Sequence, residues 1–297
     1  AAGAPRPGSA QDHRLDHPDA VNAAVQTPAP TQWLPGARGA AQQPPAQPRI
    51  PLVVAGHEVG SVAAGVLDDI GLQRLLDKRK QLSFQERNGA FAWHLPVPDA
   101  EVTPALNALA AALRQVGRCG PWRDEQLAVT NVQGAVVGTV ERGAVRVLGI
   151  ATRAVHLVGL APDGRMWVQR RSLTKPNHPG KWDTLMGGMV SAQDSLHQAL
   201  ARETWEEAGL DVAALTQVVH GGHVDFSRPS REGGGVGFMR ERIDWFSAQV
   251  PEGQVPHNQD GEVDEFALLP IPLLCERVAQ GHFTPEAGLV IGGFLGL

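Results

Sequence analysis

Three glutamates and an arginine crowd into the end of the stretch Gly187-Gly188-Met-Val-Ser-Ala-Gln-Asp194-Ser-Leu-His-Gln-Ala-Leu-Ala-Arg202-Glu203-Thr204-Trp205-Glu206-Glu207-Ala208-Gly209-Leu210. On a helix, Glu203, Glu206 and Glu207 stand at i, i+3 and i+4, so their carboxylates converge on one side. Like charges at that spacing repel by roughly a few tenths of a kcal/mol per pair. They also lie toward the helix C-terminus, where the dipole disfavours anions. The arrangement costs stability unless a cation fills it. A hard divalent cation suits such oxygen donors, and Mg2+ held by carboxylates plus substrate phosphates is the usual partner, with Mn2+ the alternative. The Gly187-Gly188 backbone could approach closely enough for Gly187 to add a carbonyl ligand. An isolated Glu-x-x-Glu-Glu run reads equally well as a solvated acidic face.

The elements that must position these groups follow from periodicity and turn chemistry. Asp194 or Ser195 is a natural N-cap, Leu196, Ala199 and Leu200 give the helix a buried face, and Gly209 ends it. Upstream, two β-rich runs from Arg153 and Met166 flank Pro162-Asp163-Gly164, a hairpin signal. Downstream, 215–225, 243–250 and 265–269 read as strands, 271–280 and 284–297 as helices, with Gly233-Gly234-Gly235 in a loop near the site mouth. Strands and helices interleave, so 150–297 is expected to be one α/β domain.

Residues 50–149 look like a small N-terminal α/β domain without a catalytic constellation. They carry a hairpin about Ala55-Gly56, helical spacing over 66–80 interrupted by Gly71, and a helix over 104–116 entered through Thr103-Pro104. A strand at 125–129 and a short helix or strand at 141–148 complete the domain. Residues 1–49 are rich in Ala, Pro, Gln and Gly, the composition of a disordered tail in which only Trp33-Leu34 could dock.

Composition narrows the partners. A net charge of -5 argues against nucleic acid, whose binders carry clustered Lys and Arg at high pI. Cys119 and Cys275 lie far apart and outside metal-ligand spacing, which favours a reducing, cytoplasmic setting. No apolar run nears the roughly 20 residues that span a bilayer, so no membrane partner is expected.

The central stretch resembles the Nudix box: Gly188, five residues, an acid at Asp194, seven residues, then Arg202-Glu203-Thr-Trp-Glu206-Glu207-Ala-Gly209-Leu210. The resemblance implies an α/β/α sandwich with a mixed sheet and metal-dependent cleavage of a small-molecule diphosphate. By position it makes Glu203, Glu206, Glu207 and the Gly187 carbonyl metal ligands, and has Arg202 orient Glu203. It also implies a further carboxylate as base or extra ligand, for which Glu262 is favoured over Asp260 and Glu265. Asp194 replaces the box's glutamate and Thr204 its apolar residue.

Outside the box, Trp122-Arg-Asp-Glu125, Glu141-Arg142, Gly149 to Leu157, Lys175 to Asp183 and Asp260-Gly-Glu-Val resemble a Nudix subgroup with an extra N-terminal domain, often labelled thiamine pyrophosphokinase-related. This implies thiamine diphosphate or a damaged analogue as substrate. The alternatives are nucleotide sugars or other nucleoside diphosphate derivatives, or a non-catalytic module that binds a diphosphate. Arg170, Arg171 and Lys175 could meet substrate phosphates, and Trp182 a substrate ring. Trp205 is expected to pack against the sheet, and His220 and His223 to be ordinary histidines of a glycine-rich turn.

Overall fold

The structure, a computed structural model, describes residues 32–70 and 82–297. The helical spacing at 66–80 falls mostly outside them; what is described there is a short turn, Asp68–Ile70. Order begins earlier than composition suggested. Helix α1, Leu34–Ala41, lies within the segment expected to be a tail, and Leu34 and Ala41 are buried. The reason sits at the far end of the chain. Gly288 and Gly292 leave a flat surface on which the Trp33 ring rests 3.6 Å from where a Cβ would stand on either glycine. A two-residue apolar anchor is enough once such a groove exists.

The N-terminal unit has two parts. Strands β1 (Arg49–Val54) and β2 (His57–Ala63) form the expected hairpin. Ala55 and Gly56 both take positive φ there, as a two-residue hairpin turn requires. With β3 (Ser83–Arg87) and β4 (Ala90–Leu95) they make a four-stranded sheet, β1 running parallel to β4. Helix α2, Val102–Gln115, buries Leu106, Leu109 and Leu113 beside the two-stranded β5 (Gln126–Thr130) and β6 (Val136–Glu141).

The second unit is a mixed sheet covered on both faces. Its strands are β7 (Ala151–Leu160), β8 (Met166–Arg171), β9 (Trp182–Asp183), β10 (Met186–Met189), β11 (Thr216–Ser230), β12 (Gly237–Gln249) and β13 (Val263–Leu269). The order is β11-β12-β7-β8-β13, with β12 parallel to β7 and the other pairs antiparallel. Strand alternation sends Val155, Leu157 and Phe246 to one side, where they meet Ala199 and Leu200 of helix α3 (Leu196–Ala208). Ala154, Val158, Ile243 and Trp245 go to the other, against α6 (Pro285–Phe294), with α5 (Ile271–Ala279) alongside. This is the α/β/α sandwich expected. The N-terminal unit's Leu52, Val54 and Leu95 join the second of these cores, so the two units share one apolar interior.

Two features differ from expectation. The β7–β8 hairpin pairs only at Gly159–Trp167 and Leu160–Met166, because it splays and β10 fills the gap along β7 while β9 lines β8. Strands β11 and β12 run on to Ser230 and Gly237, joined by the one-turn helix α4, Glu232–Gly235, so the glycine run is a tight turn. Solvent exposure along most of β11 leaves no apolar alternation there to read. Among the described residues, no helix is long and apolar enough to cross a membrane.

Arg49 stitches the units together. Its guanidinium donates to Ser61 Oγ at 2.9 Å, to the Val236 carbonyl at 2.8 Å and to the Val147 carbonyl at 3.1 Å. Replacing it leaves half-buried carbonyls unpaired. Arg49→Met is expected to lower the unfolding free energy in urea by about 2–3 kcal/mol. A change within about 0.5 kcal/mol, the range of ordinary surface substitutions, would show that the stitch carries nothing.

Candidate active site

Helix α3 is well delimited. Ser195 Oγ accepts from the Gln198 N–H at 3.2 Å while Gln198 Oε1 accepts from the Ser195 N–H at 2.8 Å, a capping box. Gly209 closes it in the left-handed conformation, with the His257 ring where a Cβ would stand. The cap is Ser195; Asp194 is left free for another task.

That task is Arg202. Asp194 Oδ2 accepts from Arg202 Nη2 at 2.7 Å and from Nε at 2.9 Å. The same guanidinium donates from Nη1 to Glu203 Oε1 at 2.9 Å and to Glu206 Oε2 at 3.2 Å. Arg202 therefore orients Glu203, and Asp194 in turn fixes Arg202 despite its shorter side chain. Thr204 is fully buried at the box's apolar position, and its hydroxyl has no hydrogen-bond partner.

The carboxylates do not share one environment. Glu206 is half exposed, whereas Glu203 and Glu207 are buried. Glu207 Oε2 accepts from Gln169 Nε2 at 2.8 Å and from the Gly187 N–H at 3.2 Å. Burial pushes the Glu207 carboxyl up to about 7, opposed by the charge of Lys175 and the Gln169 bond. Burial raises Glu203 as well, against the pull of Arg202. The Glu203 carboxylate rests on the backbone of Gly188, where a Cβ would come within 2.2 Å of Cδ. Any larger residue there would push the Glu203 carboxylate aside.

Lys175 Nζ bridges Glu262 and Glu207, lying 3.9 Å from Glu207 Oε1. The loop carrying it is pinned by the Ser172 N–H on the Glu262 carbonyl at 2.9 Å. Glu262 and Lys175 are thus brought to the helix glutamates. Arg170 and Trp182 are not. Alternation along β8 points Gln169 and Arg171 to one face and Arg170 to the other, where it pairs with Glu265 at 2.9 Å. Trp182 packs into the apolar interior beside α6, with Arg277 over its ring. Trp205 is 54% exposed, contrary to the packing expected of it. His220 and His223 lie on β11, His220 bonding Asp244 at 2.9 Å.

The edge formed by Gly187 and Gly188 opens into a cleft of about 620 Å³ between the two units. Three groups furnish it: Arg171, which the sequence offered for substrate phosphates, and His156 and Arg142, to which the sequence reading gave no role. His156, buried, bonds Thr184 Oγ1 through Nδ1 at 2.8 Å and lies against Gly187. Arg171 reaches Asp183 at 3.4 Å, and Arg142 enters from the N-terminal unit, paired with Glu125 at 2.8 Å. Arg142 lies close enough to Glu203 for its charge to favour the carboxylate. Only the phase of β8 could have separated Arg171 from Arg170, and that phase depends on what the strand packs against.

The donor set suits a hard divalent cation, since the groups that converge are carboxylates beside a glycine edge that any side chain would crowd. Among the described residues no three acidic or imidazole groups stand close enough to form a cage by themselves. A cation at this edge would need waters and substrate phosphate oxygens to complete its shell.

Glu207 gives the site a pH signature. Its carboxyl lies near 7 when folded and near 4.5 otherwise, so the folded chain holds the extra proton between those values. Stability of chelator-treated protein is then greatest below pH 4.5 from this group and falls as pH rises to 7, by something on the order of 3 kcal/mol. Glu207→Gln should flatten that slope in urea denaturation. An unchanged slope would mean that the burial penalty lies elsewhere.

Residues 151–287 match the family model described as NUDIX domain. The chain is 32% identical over 161 residues to Nudix hydrolase 24, chloroplastic, of Arabidopsis thaliana, covering 53% of this chain and 43% of that protein. It is also 32% identical to Nudix hydrolase 20, chloroplastic, of the same plant, covering 53% and 42%. The chain thus spans less than half the length of these curated relatives. A crystal structure from Deinococcus radiodurans is similar at 22% identity and a TM-score of 0.43, covering 56% of this chain and 97% of that one. The helix, its glycine edge and the covered mixed sheet all fall within residues 151–287, the part of this chain that matches the NUDIX domain model.

Proposed function

We propose that this chain is a metal-dependent pyrophosphohydrolase that cleaves a diphosphate joined to an organic moiety. The observation that carries this reading is the meeting of Glu203 with Gly188 and of Glu207 with Gly187 at the edge of the cleft, with Glu206 joined to Glu203 through Arg202. Glu203, Glu206, Glu207 and the Gly187 carbonyl would hold Mg2+ or Mn2+. Such a metal, when bound, polarises phosphoryl oxygens and lowers the pKa of a bound water. The protein's own groups do the rest. Arg202 keeps Glu203 and Glu206 in place, with Asp194 bracing it from behind. Glu262, held within reach by Lys175, is the group we assign to take the proton of the attacking water. Lys175 supplies a tethered cation for a phosphate oxygen, and Arg171 replaces Arg170 as its companion. A non-catalytic diphosphate-binding module would have no need of the full set from Arg202 to Glu207.

For the organic half, the flanking segments that resemble the thiamine pyrophosphokinase-related subgroup support thiamine diphosphate or a damaged analogue. Nucleotide sugars and other nucleoside diphosphate derivatives are the second reading, favoured by the many arginines along the cleft. A reducing, cytoplasmic setting is consistent with Cys119 and Cys275 standing as free thiols.

Phosphate release from a panel of thiamine and nucleoside diphosphate derivatives, with and without Mg2+, tests the activity. Chelation should abolish turnover, and Glu206→Gln should lower it by at least about 10- to 100-fold. Wild type and Glu206→Gln releasing equal phosphate from every compound would end the enzyme reading.

A further inference from the structure

The cleft is lined by six arginines against four carboxylates; His156 and His178 are the only aromatic rings in its wall among the described residues, and no Phe or Trp contributes. Most of these arginines are already committed. Arg142 pairs with Glu125, Arg146 with Glu241 at 2.6 Å, Arg171 with Asp183, and Arg228 with Glu286 at 3.0 Å. Two are not: among the described residues, the exposed guanidiniums of Arg123 and Arg231 make no ion pair or side-chain hydrogen bond.

The segments bearing them are rigid and locked together. The Arg123 N–H donates to Glu141 Oε1 at 2.7 Å, and the neighbouring Trp122 is held by Asp124 at 2.8 Å and by Arg114 over its ring at 4.5 Å. Arg231 opens the tight turn at α4, its carbonyl accepting from the Gly235 N–H at 2.9 Å. Arg118 Nη1 donates across to the Gly233 carbonyl at 3.3 Å, and Gly120 abuts the Glu232 carboxylate so closely that a Cβ would lie 2.5 Å from Oε2. Arg123 from the N-terminal unit and Arg231 from the second unit thus rise from two segments in direct contact, on the wall of one cleft.

We infer that Arg123 and Arg231 form a clamp that selects the organic half of the substrate by charge, an inference that rests on the diphosphate reading above. A guanidinium offers five donors and no acceptor, so its partner must present acceptor oxygens. Both bring positive charge, so a cationic group placed there is repelled. His156 is buried against Thr184 and His178 lies beside Glu286, so with no Phe or Trp in the wall recognition falls chiefly to these donors. The class selected is a diphosphate whose organic half carries carboxylate, phosphate or carbonyl oxygens and no positive charge. That favours the nucleoside diphosphate reading over thiamine diphosphate, whose thiazolium is cationic. The N-terminal unit is then a specificity wall for the second unit, which lacks half the clamp without it.

Calorimetric titration of the full chain in Mg2+ with UDP-glucuronate, UDP-glucose and UDP-glucosamine varies the charge on one scaffold. The carboxylate compound should bind about tenfold or more tightly than the ammonium compound. Arg123→Ala/Arg231→Ala should bring the two within about twofold, and the double lysine variant should keep the order while losing part of the gap. Equal affinities, tighter binding of the ammonium compound, no binding of the carboxylate compound, or a preference unmoved by the double alanine variant would each overturn the clamp. Failure of catalysis itself shows separately, as equal phosphate release by wild type and Glu206→Gln.

Discussion

The contact on which the site depends is the Glu203 carboxylate lying flat on the backbone of Gly188. It marks where the helix meets the strand edge, and any side chain at that point would displace the carboxylate. Everything around it holds this one juxtaposition. Arg202 grips Glu203 from the solvent side, Asp194 anchors Arg202, and the capping box sets where α3 begins. On the strand side, the Gly187 N–H ties β10 to Glu207. The cost is visible in Glu207, a carboxyl sealed in the interior whose charge burial opposes. A cation, as proposed above, would offset the burial of these acids beside one another.

The N-terminal unit matters for the same geometry from the other side. It shares the apolar interior beneath the sheet, Arg49 stitches it to Val147 and Val236, and its Arg142 comes close enough to affect Glu203. A cleft built this way has a floor from the stretch that matches the NUDIX domain model and a second wall from the N-terminal unit. In the function proposed above, the floor would hold the chemistry and the wall would choose the organic group.

Much of this was legible in the residues. The spacing of Glu203, Glu206 and Glu207 reports a local helical property, so chain sequence alone gives their common face. The Pro162-Asp163-Gly164 turn and the Ala55-Gly56 hairpin are likewise local. What failed to show depended on distant partners. Helix α1 exists because Gly288 and Gly292 make room for Trp33, almost the whole chain away. Arg170 and Arg171 are indistinguishable until the packing of β8 sets its phase, and Trp182 has a core to enter only once α6 is in place. The arginine wall could not be read as a wall for the same reason: its members come from separate stretches between Arg123 and Arg231 that only the fold brings together.

The central claim is that the glycine edge and the helix carboxylates form one metal seat. It is tested most directly by the thermal midpoint of chelator-treated protein as Mg2+ is added back. A ligand that binds only the folded chain raises its stability in proportion to the logarithm of concentration above Kd. The wild-type midpoint should rise with Mg2+, while Gly188→Ala, whose methyl displaces Glu203, should respond only at concentrations at least about tenfold higher. A wild-type midpoint indifferent to Mg2+, or a Gly188→Ala response identical to it, would contradict the account.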